Sequence, residues 1–186
     1  MKKLIPLFAV MVLASCGQSG NNTSDTGNNT PVATVPANWK TFSRGNYSIQ
    51  YPAEWTEKDN QQPGFFLYAP VDSANPAFVE NINLTTENIA GKGVDLDKYT
   101  ESSITQLKSY LTNFNTISNK RLKNGTLEYQ QLIFSGDKDS LHITFEQQYR
   151  LIKDTAYVLT LVTLKQQWEK SQKTGEQILS TFSVKQ

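Results

Sequence analysis

The chain has 186 residues, with 18 basic and 17 acidic side chains, one histidine and one cysteine. A balance this near neutral, with no long run of one sign, argues against a nucleic-acid surface and against a polybasic membrane patch. The lone cysteine excludes an internal disulfide.

The N-terminus reads Met1-Lys2-Lys3, then an apolar run from Leu4 to Leu13, then Ala14-Ser15-Cys16. Charge, core length and small closing residues are those of a cleavable signal peptide over residues 1–15. The run is about half the roughly 20 residues a membrane-spanning helix needs, so it is no lasting anchor. Leu13-Ala14-Ser15-Cys16 resembles a lipobox, with cleavage between Ser15 and Cys16 and a diacylglyceryl group on the Cys16 thiol. Two or three acyl chains bury many methylenes at about 0.8 kcal/mol each, which makes the anchorage stable where one chain would be marginal. Loss of Lys2 and Lys3 with the leader leaves 16 basic against 17 acidic residues.

Residues 16–37 form a lipidated cysteine and a polar tether rich in Gly, Ser, Asn and Thr, too poor in apolar side chains to bury a core. As a flexible coil it spans about 25 Å. Triplets such as Asn22-Thr23-Ser24 follow from this composition and are not read as glycan sites. Gly17, in place of an aspartate after the cysteine, points to the outer membrane facing the periplasm if the host is Gram-negative.

All three tryptophans fall in residues 38–186, a length suited to one globular domain. A strand at Trp39–Phe42 and an alternating strand with Tyr47, Ile49 and Tyr51 on one face flank the turn Ser43–Asn46, a hairpin pattern. Pro52 ends the second strand, and Trp55 is expected to fold back over the sheet. Further strands are expected at Gly64–Ala69 and Phe78–Thr86. Asp95 then caps a helix whose stripe is Leu96, Tyr99, Ser103, Leu107 and Leu111, widened by Ile104 and Tyr110. Strands Phe114–Leu122 and Leu127–Ser135 follow, joined through Lys123-Asn124-Gly125 as an antiparallel hairpin.

Leu141, Ile143, Phe145, Gln147, Tyr149 and Leu151 alternate with His142, Thr144, Glu146, Gln148 and Arg150, which reads as a strand with one buried and one mostly polar face. A turn at Lys153-Asp154 leads into Tyr157–Thr163, apolar on both faces and therefore expected in mid-sheet beneath a helix. Gln166–Thr181 supplies that helix, with Ile178, Leu179 and Phe182 as contact residues and Gly175 as a point where it could break.

Tyr47-x-Ile49-x-Tyr51-Pro52-x-x-Trp55, Gly125–Tyr129, Ala156-Tyr157-x-Leu159-Thr160 and Ile178-x-x-Thr181-Phe182 resemble the PsbP-like superfamily, which includes the DcrB-related bacterial lipoproteins. The resemblance implies an α+β single domain, a twisted antiparallel sheet of about six or more strands with helices packed on its faces. It also implies a non-catalytic accessory, assembly or binding role. No metal or partner residue of a characterised member is recognised here.

Chemistry beyond the lipid is sparse. His142 is the only imidazole and is read as structural or solvated, since triads and histidine metal sites need further partners. Asp137-Lys138-Asp139-Ser140 has acid spacing that could serve calcium but lacks the remaining ligands, so it reads as a solvated hairpin turn. Asp95 and Asp97 read as helix-start charges. Asp72-Ser73-Ala74, Asp139-Ser140-Leu141 and Asp154-Thr155-Ala156 resemble the O-glycosylation triplet of some Bacteroidota.

The expectation is therefore a membrane-anchored, non-enzymatic envelope protein with a protein partner, no cofactor, no metal and no catalytic residue. A hydrolase with an unrecognised carboxylate site, or a general structural or stress component of the envelope, are the alternatives.

Overall fold

The computed structural model describes residues 35–58 and 64–185. The leader, Ser15, Cys16 and nearly all of the tether lie outside the described residues.

The chain opens with a hairpin, β1 (Lys40–Arg44) and β2 (Tyr47–Tyr51), turned at Gly45 with φ of 55°. A two-residue strand near the C-terminus, β10 (Ser183–Val184), pairs with β2 to complete a three-stranded sheet. The main sheet has seven strands: β3 (Thr56–Lys58), β4 (Gly64–Tyr68), β5 (Asn81–Asn88), β6 (Thr112–Asn124), β7 (Leu127–Lys138), β8 (Leu141–Ile152) and β9 (Thr155–Leu164). Their order is β3-β4-β5-β9-β8-β7-β6, and every pairing is antiparallel.

Among the described residues two α-helices complete the fold, α1 (Leu96–Tyr110) and α2 (Trp168–Ser180). The Asp95 side chain accepts from the Lys98 amide at 2.9 Å, satisfying a donor that the first turn leaves free. Leu96, Leu107 and Leu111 then bury against Leu132, Phe134 and Tyr149 on one face of the sheet.

The other face carries the larger core. Phe65, Leu67, Ile82, Leu84, Leu159 and Leu161 meet Ile178, Leu179 and Phe182 from the α2 end and Phe42, Tyr47, Ile49 and Tyr51 from the small sheet. Trp55, 4% exposed, closes this core just beyond Pro52, and its amide donates to the Pro52 carbonyl at 3.0 Å. The strand apolar on both faces, β9, lies fourth of seven in the sheet. The expected α+β single domain with helices on the faces of an antiparallel sheet is what the chain forms.

Several elements depart from expectation for identifiable reasons. The first hairpin joins the small sheet instead of the main one. Strands β3 and β10 have three and two residues, too short for any periodicity to show. The β6–β7 turn is Gly125-Thr126, because Asn124 still pairs with Leu127.

The helix α2 also runs unbroken through Gly175. A Cβ there would stand 2.4 Å from Leu161 Cδ2, so glycine permits close approach of helix and sheet and marks no break.

The chief correction concerns β8. Thr144, Glu146, Gln148 and Arg150, expected on a mostly polar face, are all 3% exposed or less. Register sets Glu146 beside Leu161 and Gln148 beside Leu159, on the face that α2 and the small sheet cover. Alternation located the two faces, but the polar one is interior.

Candidate functional site

The only histidine lies at the β7–β8 hairpin. A two-residue turn, Asp139-Ser140, sets Lys138 opposite Leu141 and therefore Asp137 opposite His142. Asp139 adopts φ of 55° there, a conformation aspartate tolerates better than most residues. His142 Nδ1 lies 2.5 Å from Asp137 Oδ1, which requires a proton between them.

The corner between α1 and β6 closes on the same carboxylate. Asn113, with φ of 51°, sits where the β6–β7 register slips, and its Nδ2 donates to Asp137 Oδ2 at 2.6 Å. Gly136 admits the corner, since a Cβ would stand 2.9 Å from Leu111 Cβ. The hydrogen bond from Asn113, then that from His142, hold the Asp137 carboxyl below its usual range, and the His142 and Lys165 charges add to this.

Asn113, Ser135, Gly136, Asp137, His142, Ile143 and Lys165 line a cavity of about 240 Å³. The His142 side chain is 74% exposed. With Nδ1 held against Asp137, Nε2 is the ring nitrogen left without a protein partner among the described residues. An aspartate-oriented imidazole is the usual form of a general base, yet no hydroxyl among the described residues hydrogen-bonds to Nε2.

A second polar group is buried. Glu146 Oε1 accepts from Gln148 Nε2 at 3.0 Å and from Gln131 Nε2 at 2.8 Å, while Oε2 has no partner among the described residues. Burial raises the Glu146 pKa, the two amide donors oppose the rise, and the nearby Glu176 adds to it. Gln148 Oε1 in turn accepts from Arg150 Nη2 at 2.8 Å. Arg150 also donates to the carbonyls of Phe182 and Leu179, and burial lowers its pKa to about 10. This ladder fastens helix to sheet.

The remaining expectations are placed as follows. Asp139 and Ser140 are exposed at the hairpin turn, while Asp137 turns inward to Asn113 and His142, so no calcium loop forms. Asp95 caps α1, and Asp97 pairs with Arg121. Ser73 and Ser140 are exposed at turns, whereas Thr155 is half-buried between β5 and β8. Among the described residues, no group of three or more His, Cys, Asp or Glu side chains could hold a metal ion, and no helix is long and apolar enough to cross a membrane.

The Asp137–His142–Asn113 grouping was missed in the sequence. Its signal was the turn length, since a two-residue turn at Asp139-Ser140 fixes Asp137 against His142.

A seven-stranded antiparallel sheet with a helix on each face and a small sheet on the α2 side makes an α+β domain with a PsbP-like fold. Solved structures share this arrangement at low sequence identity. LpqN of Mycobacterium tuberculosis, described as involved in cell envelope biogenesis, matches with a TM-score of 0.61 and 16% identity, covering 80% of this chain and 92% of its own. PA94 of Pseudomonas aeruginosa, described as a putative regulator, matches at 0.60 and 11% identity, covering 81% and 99%. Cyanobacterial PsbP (CyanoP) from Synechocystis matches at 0.58 and 12% identity, covering 83% and 99%. No protein-family model and no curated protein sequence matches the chain.

Proposed function

We propose that this chain is a lipoprotein of the bacterial cell envelope, held to a membrane by acyl groups on Cys16. Its PsbP-like domain acts there as a non-catalytic accessory or binding module for an envelope partner. The observation that carries this reading is Leu13-Ala14-Ser15-Cys16 after a short apolar core, in a chain whose one cysteine has no other use. Affiliation with the DcrB-related lipoproteins belongs to the same reading, and so does the periplasmic face of the outer membrane as its place in a Gram-negative host.

The fold is shared with LpqN, whose described involvement is in cell envelope biogenesis.

Crosslinking in intact cells tests the reading. A defined envelope partner, enriched over an unrelated lipoprotein of similar abundance, is the expected result. Recovery of only the most abundant envelope proteins in both samples would contradict it.

A further inference from the structure

We propose that the end of the domain at which the tether enters rests on the bilayer that holds Cys16, with the loop 69–80 dipping Val71 into the membrane interface. The inference rests on the reading of Cys16 as the lipidated residue and assigns the surface that the domain turns to the membrane.

Strand register gathers one end of the molecule. Lys40, the first residue of β1, pairs with Tyr51, and its Nζ donates to the Trp55 carbonyl at 3.5 Å. Thr56 follows at once and pairs with Tyr68, Tyr68 pairs with Asn81, and Asn81 with Val162. The tether therefore enters the domain at the same end as the loop between β4 and β5 and the turn from β9 into α2.

Reach then favours that end. Residues 17–34 separate Cys16 from the described chain, and as a coil they span about 25 Å. Strand β8, with 12 residues, is about 40 Å long. A tether shorter than the domain keeps the end it enters nearest the membrane.

Apolar surface meets water at the same place. Three large apolar side chains stand exposed among the described residues, Val71 at 62%, Ile117 at 53% and Tyr110 at 41%. Val71 belongs to this end. So does Tyr110, just before the corner where Leu111 meets Gly136, level with Ile143 and Leu164. Pro70, Ala74, Pro76 and Ala77 are exposed in the loop with Val71, and exposed apolar residues gathered together mark an interaction surface. Trp39 and Trp168 stand half-buried at this end, and Trp and Tyr favour the headgroup level of a bilayer, where an apolar ring and a polar tip are both accommodated.

Hydrogen bonds fix the loop in place. The Asp72 carboxylate accepts from the Ala74 amide at 3.0 Å, from Asn75 Nδ2 at 2.9 Å and from Gln167 Nε2 at 2.5 Å. Gln166 Nε2 donates to Asn75 Oδ1 at 3.0 Å, which fastens the loop to the head of α2. Val71 is presented on an organised loop, so contact needs little further ordering.

Charge selects the kind of membrane contact. Lys40, Lys165 and Lys170 are matched at this end by Glu54, Asp72 and Glu169, and Lys138 is outnumbered by Asp137 and Asp139 at the β7–β8 turn. With no basic surplus to draw anionic headgroups, the contact is apolar and a zwitterionic bilayer suffices.

Single cysteines in the acylated mature chain test this, because the thioether at Cys16 leaves no free thiol there. An environment-sensitive fluorophore is attached at Val71→Cys, or at Thr126→Cys in the exposed β6–β7 turn at the opposite end, and each chain is reconstituted into phosphatidylcholine vesicles. Both should float with the vesicles. The Val71→Cys label should emit further to the blue and be quenched several times more strongly by brominated lipid than the Thr126→Cys label, at low and high salt alike. Equal lipid quenching at the two sites, or quenching at Val71→Cys that high salt abolishes, would overturn the proposal. A Val71→Cys label shielded from aqueous iodide yet untouched by brominated lipid would place a second copy of the chain there and overturn it too. If neither chain floats, the lipid reading of Cys16 fails along with the inference; if both float while the Val71→Cys label stays in water, the orientation alone fails.

Discussion

Arg150 donates from Nη2 to the carbonyl of Leu179 at 3.1 Å, so a strand within the main sheet grips the last turn of the helix packed over it. The same guanidinium donates to the Phe182 carbonyl at 2.8 Å, just before β10, and lies over the Tyr129 and Phe182 rings. A cation at a helix C-terminus complements the dipole and satisfies carbonyls that the helix leaves free. Helix, small sheet and main sheet meet at this one side chain.

Arg150→Ala should therefore destabilise the domain by about 3 kcal/mol, since it strands buried carbonyls and opens a cavity. Arg150→Lys should recover part of this, because an ammonium lacks the planar fork that reaches three acceptors. Urea denaturation followed by tryptophan fluorescence reads both. A loss below about 0.5 kcal/mol in the alanine variant would refute the role given to Arg150.

Glu146 makes stability depend on pH in a defined direction. Its folded-state pKa is raised by burial, so the neutral carboxyl fits the fold better than the carboxylate. The contribution is fully present below the ordinary glutamate range and is lost as pH rises through the raised value. Glu146→Gln should be more stable than the parent at neutral pH, and the gap should shrink as pH falls toward about 4. Denaturation midpoints of both proteins across that range test this, and a constant gap would contradict it.

Gly175→Ala sets two effects against each other. Helix propensity favours alanine by about 1 kcal/mol, while overpacking against a buried neighbour costs about 1–3 kcal/mol. With Leu161 Cδ2 only 2.4 Å from the new Cβ, packing should win and the variant should melt at a lower temperature. A higher melting temperature would show that helix and sheet have room to separate.

Asp95→Ala should cost about 1 kcal/mol, the usual loss when an N-cap carboxylate is removed. Asp95→Asn should keep most of it, since its amide oxygen still accepts from the Lys98 amide. Thermal unfolding of the two variants separates the hydrogen bond from the charge.

The elements legible in the sequence were those whose signal is local. Asp95 ahead of an apolar stripe marked α1, and Tyr157–Thr163, apolar on both faces, marked the middle of the sheet. What could not be read was which polar residues the fold would bury. Thr144, Glu146, Gln148 and Arg150 alternate as a solvent face should, and only the seating of α2 and the small sheet above them makes that face interior. Gly175 misled for a related reason, because its neighbour Leu161 is distant in sequence and close in space. The His142 site was half legible, as the histidine stood out while Asn113 and Lys165 reach it from other elements.

The anchor on Cys16 gives the domain its proposed place, and one substitution tests it. Cells carrying Cys16→Ala are grown with a labelled fatty acid and fractionated beside the parent. The account predicts a labelled, membrane-bound parent and an unlabelled variant that leaves the membrane fraction. Unchanged acyl labelling and unchanged membrane association in Cys16→Ala would contradict it.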